Sequence, residues 1–193
     1  NHVKTNKNNT YYDQIIICLG VQSPLYYDIT KSRSIFKDYK EIAVTGFIKH
    51  SEKIKNPSQY FLKEGPLALL PFNKNNFSFV WSLDKNLYEK KKIRIKKLIE
   101  NKISHLIQNK NKLNTANIQT FPIYLNLQNR YYKKNILILG EGLHSIHPIA
   151  GQGFNLVLRD VKTLFKIFKK NLNLEINFKD SFAFEEFYSI RKP

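Results

Sequence analysis

Apolar residues gather in short runs between Lys- and Asn-rich stretches, and the spacing within each run predicts its element. Residues 1 to 12 are polar and without period, which predicts a frayed end or an external hairpin. Gln14 to Leu19 is a continuous apolar run that halts at Gly20. It reads as a strand covered on both faces, as in a parallel α/β sheet, with Cys18 as a small buried side chain. From Glu41 onward, Ile42, Val44 and Ile48 alternate with Ala43, Thr45 and Phe47, the period of a strand. Leu67 to Leu70 lie between Pro66 and Pro71, which predicts a short element or an edge strand. Phe77, Phe79, Trp81 and Leu83 then share one face. The polar turn Asn73 to Asn76 makes residues 66 to 83 a hairpin.

Helical spacing takes over at Asn86 and runs to about Gln108, with Ile95, Leu98, Ile99, Ile103, Leu106 and Ile107 at three- and four-residue steps. Ile118 to Leu125 predicts a strand interrupted by Pro122. Ile136 to Leu139 predicts a buried strand whose end opens at Gly140. After Gly153 a well-specified helix follows, with Phe154, Val157, Leu158, Val161, Leu164, Phe165 and Phe168 as its apolar face.

Two buried-type strands separated by a long stretch of antiparallel texture imply a path that leaves one domain, builds a second and returns. The expected divisions are 1–37 as a first α/β segment, 38–130 as an α+β segment of mainly antiparallel strands, and 131–193 as the α/β return. A compact binding module does not usually take that path.

Composition changes this picture little. Lys and Arg total 32 against 15 Asp and Glu, a formal charge of +17. That excess attracts polyanions, nucleic acid or anionic lipid alike, but the cations are spread along the chain. The lone cysteine, Cys18, excludes an intrachain disulfide and a cysteine-based metal cluster, and is in keeping with a reducing compartment. No metal site is expected. No apolar run reaches the ~20 residues needed to span a bilayer, so any membrane contact within this sequence is peripheral.

The candidate chemistry lies between the strand at 136–139 and the helix after Gly153. The segment reads Gly140-Glu141-Gly142-Leu143-His144-Ser145-Ile146-His147-Pro148-Ile149-Ala150-Gly151-Gln152-Gly153-Phe154-Asn155. Strand ends in α/β sheets are where cofactors lie, because the next helix starts there with its N–H groups free. Gly151 and Gly153 permit close backbone approach, and the helix start would stabilise negative charge on an electron-rich ring. Glu141 can accept hydrogen bonds from sugar or ribityl hydroxyls, or be a solvated loop residue. His144 reads as a packing or capping histidine or a hydrogen-bonding participant, and His147 before Pro148 as a shaper of the turn.

This segment, with Arg159-Asp160, resembles the second flavin motif of the ubiquinone-biosynthesis hydroxylases, in the aromatic-ring hydroxylase group of FAD monooxygenases. Glu64 to Pro71 with Phe79 to Leu83 is similar to that family's substrate-domain hairpin. The resemblance implies a para-hydroxybenzoate-hydroxylase-like fold: an α/β FAD-binding domain portion interleaved with an α+β substrate domain. It implies FAD as cofactor, NAD(P)H as reductant, and hydroxylation of a prenylated aromatic precursor of ubiquinone with O2. Carried over by position, Gly140, Glu141, Pro148, Gly151, Gln152, Gly153 and Asn155 would contact the flavin and its ribityl chain. Glu141 stands where the family has aspartate, and Leu143 where it has a small residue.

The family's Asp-Gly motif reads Leu19-Gly20 here, with Ser23 retained and no arginine at the usual place. No Gly-x-Gly-x-x-Gly fingerprint for the ADP half of FAD precedes Tyr11. A catalytically incomplete or split-gene fragment that needs an N-terminal partner is therefore an alternative, and a basic nucleic-acid-binding protein a second. The expected location is cytoplasmic, with peripheral contact to the inner face of an anionic membrane or to a ubiquinone-biosynthesis complex.

Overall fold

Two apolar runs from distant parts of the chain, Ile15–Ile17 and Ile136–Ile138, lie side by side as parallel strands in register. The computed structural model describes residues 2–4, 9–21, 23–49, 56–73, 75–108, 113–148 and 151–192. These fall into two compact units, Asn1–Lys37 with Tyr124–Pro193, and Asp38–Ile123.

The first unit opens with β1 (His2–Lys4) antiparallel to β2 (Asn9–Tyr11). Next come β3 (Ile15–Ile17) and the short helix α1 (Leu25–Thr30), which buries Tyr26 and Thr30. The strand β3 is shorter than the apolar run, and it is not covered on both faces. It is the edge of a three-stranded sheet, so Ile16 is 39% exposed and Cys18 is exposed rather than packed. Continuous hydrophobicity reports a capacity for burial, and an edge strand does not realise all of it.

The chain passes into the second unit along β4 (Ile35–Lys49), followed by β5 (Ser58–Leu62), β6 (Gly65–Asn73) and β7 (Asn76–Asp84). The helices α2 (Lys85–Lys91) and α3 (Ile95–Leu106) come next, and β8 (Asn114–Leu127) leads out. The strand order is β8-β4-β7-β6-β5, with antiparallel pairing from β4 through β7 and β6 to β5. Alternation was a faithful guide here: Phe77, Phe79, Trp81 and Leu83 are all fully buried. They pack with Leu67, Leu69 and the α3 stripe Ile95, Ile99 and Ile103.

Three expectations change in this unit. β6 is an interior strand between β5 and β7, because Pro66 sits at its start and Pro71 at a register shift, the places where a missing N–H is tolerated. Lys74, in its turn, lies outside the described residues. The helix predicted over 86–108 is broken by a 3₁₀ turn at Lys92–Arg94, with Asp84 accepting from the Leu87 N–H at 3.0 Å to start its first part. Pro122 is exposed and does not interrupt β8.

On return to the first unit, β9 (Tyr132–Lys133) pairs antiparallel with β10 (Ile136–Ile138), giving the order β3-β10-β9. β11 (His144–Ser145) pairs with Leu127 and Asn126 at the end of β8. Two helices close the unit, α4 (Gln152–Asn173) and α5 (Phe182–Arg191). Its core joins Leu137, Ile138 and Leu143 to Leu164 and Ile167 of α4 and Phe184 and Phe187 of α5.

The buried face of α4 matches the one its periodicity predicted only in part: Leu164 is buried and Val157 and Phe168 are half-buried, but the other predicted positions are not. Asp160, Leu164, Ile167 and Asn171 are buried, whereas Phe154, Leu158, Val161 and Phe165 are between 47% and 71% exposed. The helix carries apolar side chains on two stripes. The pairing of Asp160 with His144 and Arg191, and the packing against α5, select the second. Among the described residues, no helix is long and apolar enough to cross a membrane.

Candidate functional site

The parallel strand β10 ends at Ile138, the Leu139 N–H donates to the Ile17 carbonyl at 3.0 Å, and the chain turns at once through a 3₁₀ segment, Gly140–Gly142. Gly140 makes that turn with φ +81°, a conformation that L side chains rarely adopt. The turn closes when the Leu143 N–H donates to the Gly140 carbonyl at 2.9 Å. It packs against α4, so the strand end and the helix are brought together.

Gly142 rests on a residue that sequence reasoning passed over. Tyr26 of α1 is 2% exposed, and its hydroxyl donates to the Leu19 carbonyl. A Cβ on Gly142 would overlap its hydroxyl and ring, with Cε2 only 2.6 Å away. Burial holds the Tyr26 hydroxyl above its ordinary pKa, so it stays a neutral donor. Tyr26 stands three positions after Ser23. A glycine beneath a distant aromatic is the one sequence signal that could have pointed to it.

The helix side begins at Gly151, whose φ of +63° makes it a left-handed N-cap, with its N–H bonded to the Pro148 carbonyl at 3.2 Å. Among the described residues no side chain caps α4, which leaves the N–H groups of its first turn available. Gln152, Phe154 and Asn155 are exposed, as are Glu141 and Pro148, while Gly153 is half-buried. A Cβ added at Gly151 or Gly153 would meet nothing within 4 Å, so the space over this helix start is open. Ile149 and Ala150 lie outside the described residues.

His144 is 7% exposed and is not on that open side. Its Nε2 lies 2.8 Å from Oδ2 of the fully buried Asp160, without the alignment of a hydrogen bond. The other carboxylate oxygen of Asp160 accepts from Nε of Arg191 at 2.5 Å. Asp160 thus ties the glycine segment and α4 to the end of α5. His144, Arg191, Tyr131 and Leu156 line a cavity of about 390 Å³ in this unit. Burial pushes the Tyr131 hydroxyl above its ordinary pKa. His147 is half-buried. No group of three or more His, Cys, Asp or Glu side chains is placed to hold a metal ion among the described residues.

A flavin fits these residues. Uncapped backbone donors, unobstructed glycines and exposed polar side chains converge at one helix start, beside a carboxylate that can accept from hydroxyls. The arrangement can hold an electron-rich ring against a positive dipole end.

The profile of the FAD binding domain family matches residues 17–175. The mitochondrial ubiquinone biosynthesis monooxygenase of Dictyostelium discoideum is 25% identical over 167 residues, which cover 70% of this chain and 34% of the relative. Its Schizosaccharomyces pombe counterpart is 28% identical over 183 residues, covering 68% and 38%. The chain therefore spans little more than a third of the length of these relatives. A probable FAD-dependent monooxygenase from Pseudomonas aeruginosa, pqsL, superposes with a TM-score of 0.77 at 17% identity, over 98% of this chain and 54% of that one. The fold is para-hydroxybenzoate-hydroxylase-like. The chain belongs to the FAD binding domain family.

Proposed function

We propose, from membership of the FAD binding domain family, that the chain forms the flavin-ring and ribityl side of a hydroxylase. That enzyme would insert oxygen from O2 into a prenylated aromatic precursor of ubiquinone, with NAD(P)H as reductant. The observation that carries this reading is the open, uncapped start of α4 at Gly151–Gly153 beside the turn at Gly140–Gly142. The names of the two ubiquinone biosynthesis monooxygenases support the substrate class.

In this reading the backbone N–H groups of Gln152 and Gly153 and the side chains of Gln152 and Asn155 hold the polar edge of the flavin. Glu141 accepts from ribityl hydroxyls, and Pro148 fixes the loop ahead of Gly151. FAD, when bound, supplies the electron transfer and oxygen activation that side chains cannot. The protein orients the ring, places the positive end of α4 against its developing negative charge and keeps water out. No side chain is assigned as general acid or base. A cytoplasmic location, with the basic surface against an anionic membrane face or a ubiquinone-biosynthesis complex, belongs to the same proposal.

A second reading, a catalytically incomplete chain that works with an N-terminal partner, is favoured by the exposed stripe Phe154, Leu158, Val161 and Phe165. Fluorescence titration with FAD separates the two. The second reading expects weak or no binding by the chain alone, and tight stoichiometric binding overturns it. For the first, Gly153→Val places a branched side chain in the open space and should weaken FAD by about tenfold or more, the scale of one lost close contact. An unchanged dissociation constant removes Gly153 from the site.

A further inference from the structure

A second cavity of the first unit, also about 390 Å³, shares no lining residue with the Gly140–Asn155 segment. It opens between the end of β8 and the loops on either side of α1, and Ser23, Ser32, Arg33, Ser34, Asn126 and Gln128 face it. Asn126 is 6% exposed and Gln128 9%. Neither side-chain amide has a hydrogen-bond partner among the described residues. Neither contributes an atom to the fully buried, unpartnered polar groups of the described residues, so both amides reach the open cavity and are free to bond a ligand there.

The chemistry of the wall narrows the ligand. Arg33 is exposed at the cavity, and among the described residues no carboxylate pairs with it. Among the described residues no acidic side chain lines the cavity. The lining offers a guanidinium fork, two amide NH2 groups and three serine hydroxyls, a donor-rich set with a single positive charge. Guanidinium and amide donors together match the planar or tetrahedral oxygens of an oxyanion.

We propose that this cavity is a binding site for a small oxyanion, the phosphate or carboxylate group of a ligand, with Arg33 as the charged contact and Asn126 and Gln128 as neutral ones. The site uses none of the residues assigned to the flavin, although Tyr26 of its wall also supports the turn at Gly142.

The test is an NMR titration of the 193-residue chain, with inorganic phosphate in one arm and benzoate in the other, each at constant ionic strength set by sodium chloride. The side-chain amides of Asn126 and Gln128 and the backbone amides of Ser32 and Ser34 should shift and saturate with at least one anion. Saturation by phosphate alone assigns a phosphorylated ligand, by benzoate alone a carboxylate, and by both a general oxyanion site. Arg33→Gln should weaken the response by about tenfold, the scale of one charge-assisted contact. Gln128→Met, which keeps the volume, should weaken it less. Lys97→Gln removes an equal charge from an exposed position on α3 and should leave it unchanged. Shifts that grow without saturating, an unaltered response in Arg33→Gln, or an equal loss in Lys97→Gln would each overturn the site.

Discussion

Replacing Gly142 with alanine tests the packing that holds the turn at Gly140–Gly142 in place. The added methyl would overlap the hydroxyl and ring of Tyr26, a side chain with 2% exposure and a hydroxyl bonded to the Leu19 carbonyl. Gly142 is not among the residues with positive φ, so any penalty comes from the collision and not from the backbone. Overpacking a core costs about 1–3 kcal/mol, and displacing the tyrosine from its carbonyl partner costs about 1 kcal/mol more. The expected loss is about 2–4 kcal/mol, a large part of the ~5–15 kcal/mol stability of an ordinary domain. The sign is itself diagnostic, because glycine to alanine at an unobstructed site stabilises by about 0.4–1 kcal/mol through the unfolded chain. Urea unfolding followed by circular dichroism gives the difference. Repeating Gly142→Ala in a Tyr26→Ala background should abolish most of the penalty, since the obstructing ring is gone. A neutral or stabilising Gly142→Ala, or an equal loss in both backgrounds, refutes the contact.

Two further outcomes follow from charge. Asp160→Asn leaves the Arg191 guanidinium, 20% exposed, without its counter-charge, and should cost about 2–3 kcal/mol in urea unfolding; less than 0.5 kcal/mol would mean that the buried carboxylate does not anchor α4. The hydrogen bond from Lys102, 2.6 Å long, holds the Glu64 carboxyl below its ordinary pKa. A depressed carboxyl stabilises the fold above its unfolded pKa and loses that contribution as pH falls through the lower folded value. Lys102→Met should therefore cost about 0.5–1 kcal/mol at pH 7, reduced by solvent screening, with the gap to the parent closing as pH drops below the ordinary glutamate range. A gap that persists in acid would assign the effect to packing.

The fold was most legible where one period had one interpretation. In β7 every second residue from Phe77 to Leu83 is large and apolar, and a sheet has only two faces, so alternation alone named the buried one. In α3 the isoleucines at 95, 99 and 103 did the same. In α4 apolar residues occupy more than one stripe, and periodicity cannot say which stripe finds a partner. The answer rests on Asp160, a polar residue on the buried face, and on Arg191, which reaches it from α5. No local pattern announces such a contact. β3 failed in the opposite direction, with enough apolar residues for full burial but a place at a sheet edge.

The candidate site divides along the same line. Its open side, Gly151 to Asn155 with Gly140 and Glu141, was legible because glycine spacing, a strand end and a helix start are local features with direct chemical meaning. Its supporting side was not. Tyr26 beneath Gly142 and Asp160 beside His144 are contacts between segments far apart in sequence, and their residue types have many other uses. A loop that holds a cofactor must be fixed to a fraction of an ångström by side chains that never touch the ligand. Leu143 shows the distinction most directly. It looked like a bulky departure within the motif, yet it is fully buried in the first unit's core with Leu137 and Ile138. The departure therefore changes the support of the turn rather than the surface a cofactor would meet, and Gly142 beside it provides the room that Tyr26 requires.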